Sequence, residues 1–325
     1  MGEPAGIGGE ITLRAWLRRG DDVPVFLAID DAERLRSIAR SLDLPVEVAL
    51  IDNAAEAANV FARALPVLHR PLPAACVPGR FDPANSRAAI SAIETAVGLV
   101  RSHHAAAVVT NPIHKRALYA AGFAYPGHTE FLAALADAAG APVMMLASPR
   151  LRVVPVTIHV SLRRAIETLH AGAIVHAGKV TAAALSQDFG IARPRLAVAG
   201  LNPHAGEDGE MGREDIEIVA PAIRRLRDDG VDAFGPTPPD TMFHERAREA
   251  YDAALCMYHD QALIPLKTLD FDGGVNVTLG LPFVRTSPDH GTALDIAGRG
   301  VARADSLMAA LRLAGDIARR RALAA

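Results

Sequence analysis

The stretch AALCMYHDQALIPLK, residues 253–267, changes character abruptly near its middle. It begins with a continuous apolar run, which is typical of a strand buried on both faces of a sheet. The run ends at His259, Asp260 and Gln261, and a lysine follows at Lys267. Lysine occurs at only three positions in the chain, so each one calls for an explanation. We expect this polar group to lie where a buried strand reaches a functional site.

The same alternation of apolar and amphipathic segments runs along the chain. Apolar runs at 23–29, 46–51 and 105–110 are each followed by a helix-forming segment, at 30–42, 54–65 and 114–122. This rhythm predicts an α/β fold with a mostly parallel, helix-covered sheet. Amphipathic spacing predicts further helices at 85–101, 163–170, 176–187, 213–229 and 305–323.

Length and composition narrow the class of protein. At 325 residues the chain is long for one hydrophobic core, which favours two domains or one large α/β domain. A net charge of -3 gives no electrostatic footprint for nucleic acid or an anionic membrane. No run reaches the ~18 apolar residues of a membrane helix, and no signal peptide leads the chain, so we expect a cytoplasmic protein. Cys76 and Cys256 are expected to be buried, reduced thiols.

Three apolar runs end in a histidine: RVVPVTIH at His159, RLAVAGLNPH at His204 and AALCMYH at His259. The carboxyl ends of parallel strands share one edge of a sheet, where such folds bind ligands, so the three imidazoles are expected to converge. Imidazole suits Zn, Co, Ni or Fe, and an added carboxylate suits Mn or Mg. Asp240 and Asp260 are candidates for that carboxylate or for a group supporting the ligands. The alternative for each histidine is a hydrogen-bonded loop or core residue.

Other polar residues form a set of donors suited to an anion. Lys267, Asn276 and Arg285 supply a point cation, an amide and a planar fork, as a phosphate or carboxylate requires. A solvated surface role is the alternative for the two cations. His128 and Thr129 stand at a predicted helix start, which favours anions, although Thr129 is equally explained as an N-cap. These residues alone predict a metal-dependent α/β enzyme acting on a small anionic molecule.

The first loop, GEPAGIGGE at residues 2–10, has glycines without the GxGxxG order of a Rossmann fingerprint. Loops of this kind normally follow a strand, and none precedes this one. We therefore expect either that this sequence starts late or that Met1 is an internal residue.

Taken together, these segments resemble one family, 4-hydroxythreonine-4-phosphate dehydrogenase of vitamin B6 biosynthesis. The resemblance covers nearly the whole chain in order. It runs through GEPAGIGGE (2–10), TNPIHK (110–115), PGHTEF (126–131), IHVSLR (158–163), LNPHAGEDGEMGRE (201–214), PDTMF (239–243), MYHDQALIPLK (257–267) and GVNVTLGLPFVRTSPDHGTALDIAG (274–298).

The resemblance implies two α/β domains per subunit, as in isocitrate and isopropylmalate dehydrogenases. It also implies an obligate homodimer whose active site lies in the interdomain cleft at the dimer interface. We predict a first, cofactor-side domain at 1–125 plus 286–325. A second domain at 126–285 is predicted to hold the metal, the substrate and the dimer interface.

The resemblance also implies roles for individual residues. Divalent-metal ligands, for Zn, Mg or Co, are expected from both subunits at His159, His204 and His259. Substrate contacts are expected at His128, Thr129, Lys267, Asn276 and Arg285. The candidate catalytic groups are Lys267, Asp240 and Asp260, and the candidates for contacts with NAD or NADP are Gly6, Gly8, Asp289 and His290.

The implied reaction is an NAD-dependent oxidation followed by decarboxylation. The family oxidises 4-phosphooxy-L-threonine to a β-keto acid, which loses CO₂ to leave 3-amino-2-oxopropyl phosphate on the route to pyridoxal 5'-phosphate. One alternative is a paralogue that uses erythronate or threonate 4-phosphate, or a cis-diol carboxylate. Two others are a metal-dependent hydrolase and a non-catalytic binding protein. Lys267, Asn276 and Arg285 favour a phosphorylated substrate over a diol.

Overall fold

The computed structural model describes residues 1–125, 127–138 and 140–324. The chain divides into two compact units, unit 1 (Met1–Pro142 and Leu281–Ala318) and unit 2 (Val143–Gly280 and Arg319–Ala325). The predicted boundaries lay after residues 125 and 285. Pro126, the first residue of the predicted second domain, lies outside the described residues.

The difference in boundaries moves three predicted substrate residues, His128, Thr129 and Arg285, into unit 1. The physical reason is a shared hydrophobic core. Phe131 and Leu132 pack in one buried cluster with residues of unit 1 that include Val97 and Phe283. A loop that interrupts the sequence rhythm near residue 125 therefore does not end the packing unit.

Short strands alternate with helices along the chain, as the sequence rhythm predicts. The strands are β1 (Ala28–Asp30), β2 (Val48–Ile51), β3 (Leu65–His69), β4 (Ala107–Val109), β5 (Val143–Ala147), β6 (Arg152–Pro155), β7 (Arg195–Ala199), β8 (Asp232–Thr237), β9 (Ala253–Cys256), β10 (Val275–Leu279) and β11 (Val284–Pro288). Two 3₁₀ segments (Ala54–Glu56 and Pro203–Gly209) and a π-helical turn (Asp215–Val219) complete the pattern.

Helices occur in both units. They are α1 (Gly8–Leu17), α2 (Ala32–Ser41), α3 (Ala57–Val60), α4 (Pro83–Arg101), α5 (Lys115–Ala120), α6 (His128–Leu135), α7 (Leu162–Thr168), α8 (Ala171–Gln187), α9 (Ala220–Asp228), α10 (Glu245–Arg248), α11 (His259–Leu269) and α12 (Asp305–Ala324). Over the described ranges, none of them has both the length and the apolar character that crossing a bilayer requires.

The strands of unit 1 form two groups. β1, β3 and β2 make a parallel sheet in that order, and β4 pairs in parallel with β11. Residues 26–30 around β1 and 105–111 around β4 border a cavity of about 480 Å³, whose lining is mainly apolar. None of the predicted site residues lines this cavity. The cavity is bordered by Thr110, which contacts Arg285 in the polar group described below.

Unit 2 contains a mixed sheet in the order β10-β5-β6-β9-β7-β8. β5 pairs in antiparallel fashion with β10 and β6, whereas β6, β9, β7 and β8 are parallel neighbours. β6, β7 and β9 are mainly buried, and their side chains pack into a core that includes Val153, Ala197 and Cys256, whereas the edge strand β8 is largely exposed or half-buried. The carboxyl ends of these four strands consequently meet at one edge, as predicted.

Local predictions were wrong in two places. The Ala-rich segment 54–65 was predicted as one helix, but helix ends at Val60 and β3 begins at Leu65. Pairing on both sides with β1 and β2 outweighs the helix propensity of the alanines. The predicted strand 23–29 is regular only from Ala28. Cys256 is buried and free as predicted, whereas Cys76 is free but only half-buried.

We predict that Leu196→Ala destabilises unit 2 strongly. Leu196 lies in β7 with 0% of its surface exposed, so truncation leaves a cavity and costs about 2–5 kcal/mol. The free energy of unfolding from urea denaturation measures this loss. Leu50→Ala is the control, because Leu50 is also a strand leucine but is 56% exposed, and a change within about 0.5 kcal/mol is expected. Equal losses in the two variants would contradict the assigned packing.

Candidate active site

The histidines that follow β6 and β9 lie side by side in unit 2. The backbone contact between these strands continues past their ends, because the Thr157 N–H donates to the Met257 carbonyl at 3.3 Å. The Thr157 hydroxyl donates to the same carbonyl at 2.8 Å. The ring centroids of His159 and His259 are then 5.7 Å apart. Two of the three predicted metal ligands are thus brought together by parallel strand pairing.

Asp260 orients the ring of His259. His259 is the first residue of α11, and its Nδ1 lies 2.6 Å from Oδ1 of Asp260. A carboxylate accepts from Nδ1–H, so Nε2 keeps the lone pair that binds a cation, as metal-binding histidines generally do. His159, His259 and Asp260 line a cavity of about 260 Å³ together with Thr157 and Tyr258.

The third histidine, His204, follows β7, which is the parallel neighbour of β9. It is exposed and begins a run of positive φ angles, between 41° and 85°, over residues 204–208. His159 also has a positive φ of 51°. This conformation costs about 1–2 kcal/mol per non-glycine residue, and such outliers cluster at functional sites.

The described residues bring only part of the predicted metal site together. In residues 1–125, 127–138 and 140–324 there is no group of three or more His, Cys, Asp or Glu side chains that could hold a metal ion. His159 and His259 are adjacent, and His204 follows a strand of the same parallel set. Convergence of all three on one cation stays a prediction, for which the resemblance expects ligands from two subunits.

The other predicted residues of unit 2 lie around the same strands. Asp240 is exposed and follows β8, the fourth parallel strand. Lys267 is half-buried in α11, seven residues after Asp260, so both lie on one face of the helix about 10 Å apart along its axis. The Lys267 ammonium lies 5.6 Å from the centre of the Phe271 ring. Asn276 lies in β10 and is partly exposed.

In unit 1 the buried Arg285 is the centre of a second polar group. Its side chain is only 4% exposed, and burial lowers the pKa of Arg285 to about 10. The guanidinium Nη2 donates to the Thr110 hydroxyl at 2.7 Å and lies 3.4 Å from Nδ1 of His128. A solvated surface role for Arg285 is therefore wrong. Thr110 was not among the predicted site residues, although its position directly after β4 gave the same signal as the histidines.

The protonation of His128 follows from this contact. Burial, together with the Arg285 charge, holds the pKa of His128 well below its usual range, so the ring is neutral near pH 7. A guanidinium can only donate, so Nδ1 accepts and the single ring proton lies on Nε2. This buried Nε2 has no hydrogen-bond partner within the described chain. His128 can therefore donate a hydrogen bond to an oxygen of a bound molecule.

The helix that carries His128 begins as predicted. Gly127 is the N-cap of α6, so His128 and Thr129 occupy its first two positions. The alternative that Thr129 acts only as the N-cap is wrong, because the cap lies two residues earlier. Thr129 is half-buried.

The residues predicted to contact a nicotinamide cofactor lie near the start of α1. Gly6 packs closely against the segment around residue 292, because a Cβ on Gly6 would approach the Thr292 carbonyl oxygen to 2.7 Å. His290 belongs to that segment, and its buried Nε2 has no hydrogen-bond partner among the described residues. Asp289 donates its backbone N–H to the Ser306 hydroxyl at 3.1 Å. A Cβ on Gly8 would lie 3.2 Å from the side chain of Asn111.

Comparisons with known proteins agree over most of the chain. A family model described as "Pyridoxal phosphate biosynthetic protein PdxA" matches residues 22–314. A curated relative from Bradyrhizobium diazoefficiens, named 4-hydroxythreonine-4-phosphate dehydrogenase, is 56% identical and is aligned over 98% of this chain and 95% of its own length.

Solved structures show the same likeness. The crystal structure of 4-hydroxythreonine-4-phosphate dehydrogenase from Klebsiella pneumoniae has 41% identity and a TM-score of 0.87, over 98% of both chains. A terephthalate 1,2-cis-dihydrodiol dehydrogenase from Burkholderia xenovorans LB400 has 30% identity and a TM-score of 0.63, over 96% of this chain and 95% of that one.

We predict that the neutral His128 makes stability depend on pH. Because its pKa is depressed in the fold, only the unfolded chain takes up a proton below about pH 6.5, so stability falls as the pH drops from about 7.5 to 5.5. The contribution is at most about 1.4 kcal/mol per pH unit. Urea denaturation at the two pH values measures the free energy of unfolding. This free energy should fall less between pH 7.5 and 5.5 for His128→Gln than for the unsubstituted protein.

The exposed His103 is the control for this experiment. His103→Gln should keep the full dependence on pH between 5.5 and 7.5. If the free energy of unfolding of His128→Gln falls as much as that of the unsubstituted protein, His128 is not the group responsible for the pH dependence.

Proposed function

The chain belongs to the PdxA family, and on that premise we propose that it oxidises and decarboxylates 4-hydroxythreonine 4-phosphate. The observation that carries the proposal is 56% identity over 98% of the chain to a relative named for that dehydrogenase activity. In this reaction NAD removes a hydride from the secondary alcohol, and the resulting β-keto acid loses CO₂. The product is 3-amino-2-oxopropyl phosphate, a precursor of pyridoxal 5'-phosphate.

The polar group of unit 1 supports binding of a phosphorylated substrate. The buried Arg285 guanidinium attracts an anion more strongly than a solvated arginine would, because screening by water is weaker. Thr110 fixes the direction of the guanidinium through its hydroxyl. The Nε2–H of His128 is available for a substrate oxygen. We assign substrate contacts to these residues and to Thr129, Lys267 and Asn276.

The donor set around His259 fits a divalent cation. Asp260 holds Nδ1 of His259, which leaves Nε2 for a cation, and His159 lies next to it. We assign the metal site to these two histidines and His204, with Zn, Mg or Co as the ion and a homodimer supplying both halves. When bound, the cation would polarise the substrate oxygen and stabilise negative charge that develops on it.

The proton of the substrate hydroxyl requires a base from the chain. Asp240, Asp260 and Lys267 are the candidates, and a base must come within about 3 Å of the hydroxyl. Asp260 already accepts from His259, so removing the substrate proton would cost it part of that hydrogen bond. Lys267 lies on the same face of α11 as Asp260. As a neutral amine it would serve as the base, and as an ammonium it would instead bind the substrate carboxylate.

A nicotinamide cofactor would supply the hydride acceptor when bound, and we assign its contacts to the start of α1 and the segment 289–292. Gly6, Gly8, Asp289 and His290 supply this surface, and the buried Nε2 of His290 is an orphaned polar atom beside it. NAD is proposed over NADP from the family resemblance. A cytoplasmic location is proposed on the same ground.

One structural relative is named for a different class of substrate, a cis-dihydrodiol. The 30% identical protein from Burkholderia xenovorans is named for a cis-dihydrodiol, so a family fold accommodates a carboxylated diol as well. We favour the phosphorylated substrate because the identity to the relatives named for it is higher.

The assay compares substrates directly. Purified protein with Zn²⁺, Mg²⁺ or Co²⁺ and NAD is mixed with 4-phosphooxy-L-threonine, erythronate 4-phosphate, threonate 4-phosphate or a cis-dihydrodiol carboxylate. We expect absorbance of reduced nicotinamide to rise with 4-phosphooxy-L-threonine and CO₂ to be released in equal amount. Turnover of another acid together with no turnover of 4-phosphooxy-L-threonine would overturn the substrate assignment. Product formation without reduced nicotinamide would identify a hydrolase.

We predict that His204→Ala lowers kcat at least about 100-fold and removes the bound divalent cation, while the fold is kept. His204 is exposed, so its truncation disturbs no core. Activity, metal content after dialysis and circular dichroism are the three measurements. His103→Ala, an exposed histidine of unit 1, is the control and should behave as the unsubstituted protein. Full activity and metal content in His204→Ala would remove this residue from the metal site.

A further inference from the structure

The segment that carries His204 has a backbone that needs external support. His204, Ala205, Glu207 and Asp208 have φ values of 52°, 54°, 41° and 55°, and Gly206 between them has a φ of 85°. Four non-glycine residues in this left-handed conformation within a five-residue segment are not stable by themselves, because each Cβ approaches the following carbonyl oxygen. Contacts outside the segment must therefore hold it.

Asp215 supplies this support. Its Oδ1 accepts from the backbone N–H of Leu201 at 2.7 Å, and its Oδ2 accepts from the backbone N–H and the side-chain amide of Asn202, both at 3.0 Å. These bonds fix the two residues that precede Pro203 and His204. The Asp215 side chain is buried, with 1% of the residue exposed.

The same carboxylate also contacts the far side of the segment. A Cβ built on Gly206 would lie 3.3 Å from Oδ2 of Asp215, and one built on Gly200 would lie 3.1 Å from Oδ1. Asp215 thus stands between the end of β7 and the left-handed residues. It is the first residue of the π-helical turn Asp215–Val219, a rare conformation that is often found at functional sites.

Among the described residues, the hydrogen bonds to the Asp215 side chain all come from Leu201 and Asn202, directly before Pro203 and His204. Across the described residues, no Arg, Lys or His forms an ion pair with Asp215, and its hydrogen bonds come from neutral amides. An apolar side chain of similar size would leave the backbone N–H groups of Leu201 and Asn202 without these acceptors. The specific effect of Asp215 is to fix the backbone geometry of residues 201–208.

We propose that Asp215 is a positioning residue that places the His204 imidazole for a divalent cation by fixing the left-handed segment. This rests on the proposed function, because that function makes His204 a metal ligand. Asp215 itself touches neither the cation nor the substrate in this proposal. Its effect reaches the metal only through the backbone of residues 201–204.

The test is the affinity of the purified full-length protein for Zn²⁺, measured by competition with a chelator. Asp215→Asn keeps the volume of the side chain but replaces one acceptor oxygen by an NH₂ group, which cannot accept from Leu201 or Asn202. We expect Zn²⁺ affinity to fall about 10- to 100-fold, as for other groups that orient metal ligands. Hydrogen exchange of the amides of Leu201 and Asn202 should become faster in the same variant.

Asp252→Asn is the matched control. Asp252 is a partly buried carboxylate of the same unit and accepts from the backbone N–H of Arg195 at 2.8 Å. It precedes β9 and contacts the first residue of β7, so it lies at the amino ends of the strands whose carboxyl ends lead to His259 and His204. We expect lower thermal stability from this change with Zn²⁺ affinity unaltered.

The outcomes separate the two proposals. In one outcome, Asp215→Asn loses as much stability as Asp252→Asn and still binds Zn²⁺ within twofold of the unsubstituted protein. That result would overturn the positioning role and leave the metal site intact. If the unsubstituted protein binds no Zn²⁺, Co²⁺ or Mg²⁺, both the metal site and the positioning role are overturned.

Should Asp215→Asn fail to fold, Asn202→Ala replaces it, because this change removes one donor to Asp215 and keeps the carboxylate. A smaller, at least threefold, loss of Zn²⁺ affinity is then expected, and no loss would overturn the proposal.

Discussion

Parallel pairing of β6, β9, β7 and β8 is the constraint on which the candidate site in unit 2 depends. Four neighbouring strands run in the same direction, so the residues that follow them meet at one edge of the sheet. His159, His259, His204 and Asp240 each lie three to five residues beyond the end of their strand. A one-residue slip in this pairing would turn the buried side chains to the opposite face, so the core and the site specify each other.

The sheet edge that carries the candidate site was predictable from the sequence, whereas the contacts that support the site residues were not. An apolar run that ends in a histidine is a local pattern, and three repeats of it identified His159, His204 and His259. Asp215 accepts hydrogen bonds from Leu201 and Asn202, and no local spacing reveals these contacts. Thr110 follows β4 as the histidines follow their strands, but its contact with Arg285, 175 residues away, is not visible in the sequence. Sequence likewise predicted most helices but read 54–65 as one helix, because the parallel pairing that makes Leu65 part of a strand is also non-local.

The two units supply different electrostatic environments. In unit 2, Asp260 holds the His259 ring so that one nitrogen remains free to bind a cation. In unit 1, the Arg285 charge and burial keep His128 neutral, so the same residue type becomes a hydrogen-bond donor through Nε2. The roles of the two imidazoles thus follow from their neighbours. A carboxylate beside one ring and a guanidinium beside the other decide which nitrogen carries the proton.

These environments bear on how one fold serves different substrates. Relatives named for a phosphorylated amino acid and for a dihydrodiol share this fold, with TM-scores of 0.87 and 0.63 to the present chain. Strand order therefore cannot select the substrate, because it only decides where ligands approach. Selection must come from the side chains that face the bound molecule. A buried guanidinium such as Arg285 attracts any anion, but a fixed donor such as His128 Nε2–H discriminates by position, since an oxygen placed elsewhere leaves that donor unsatisfied at a cost of about 1–3 kcal/mol.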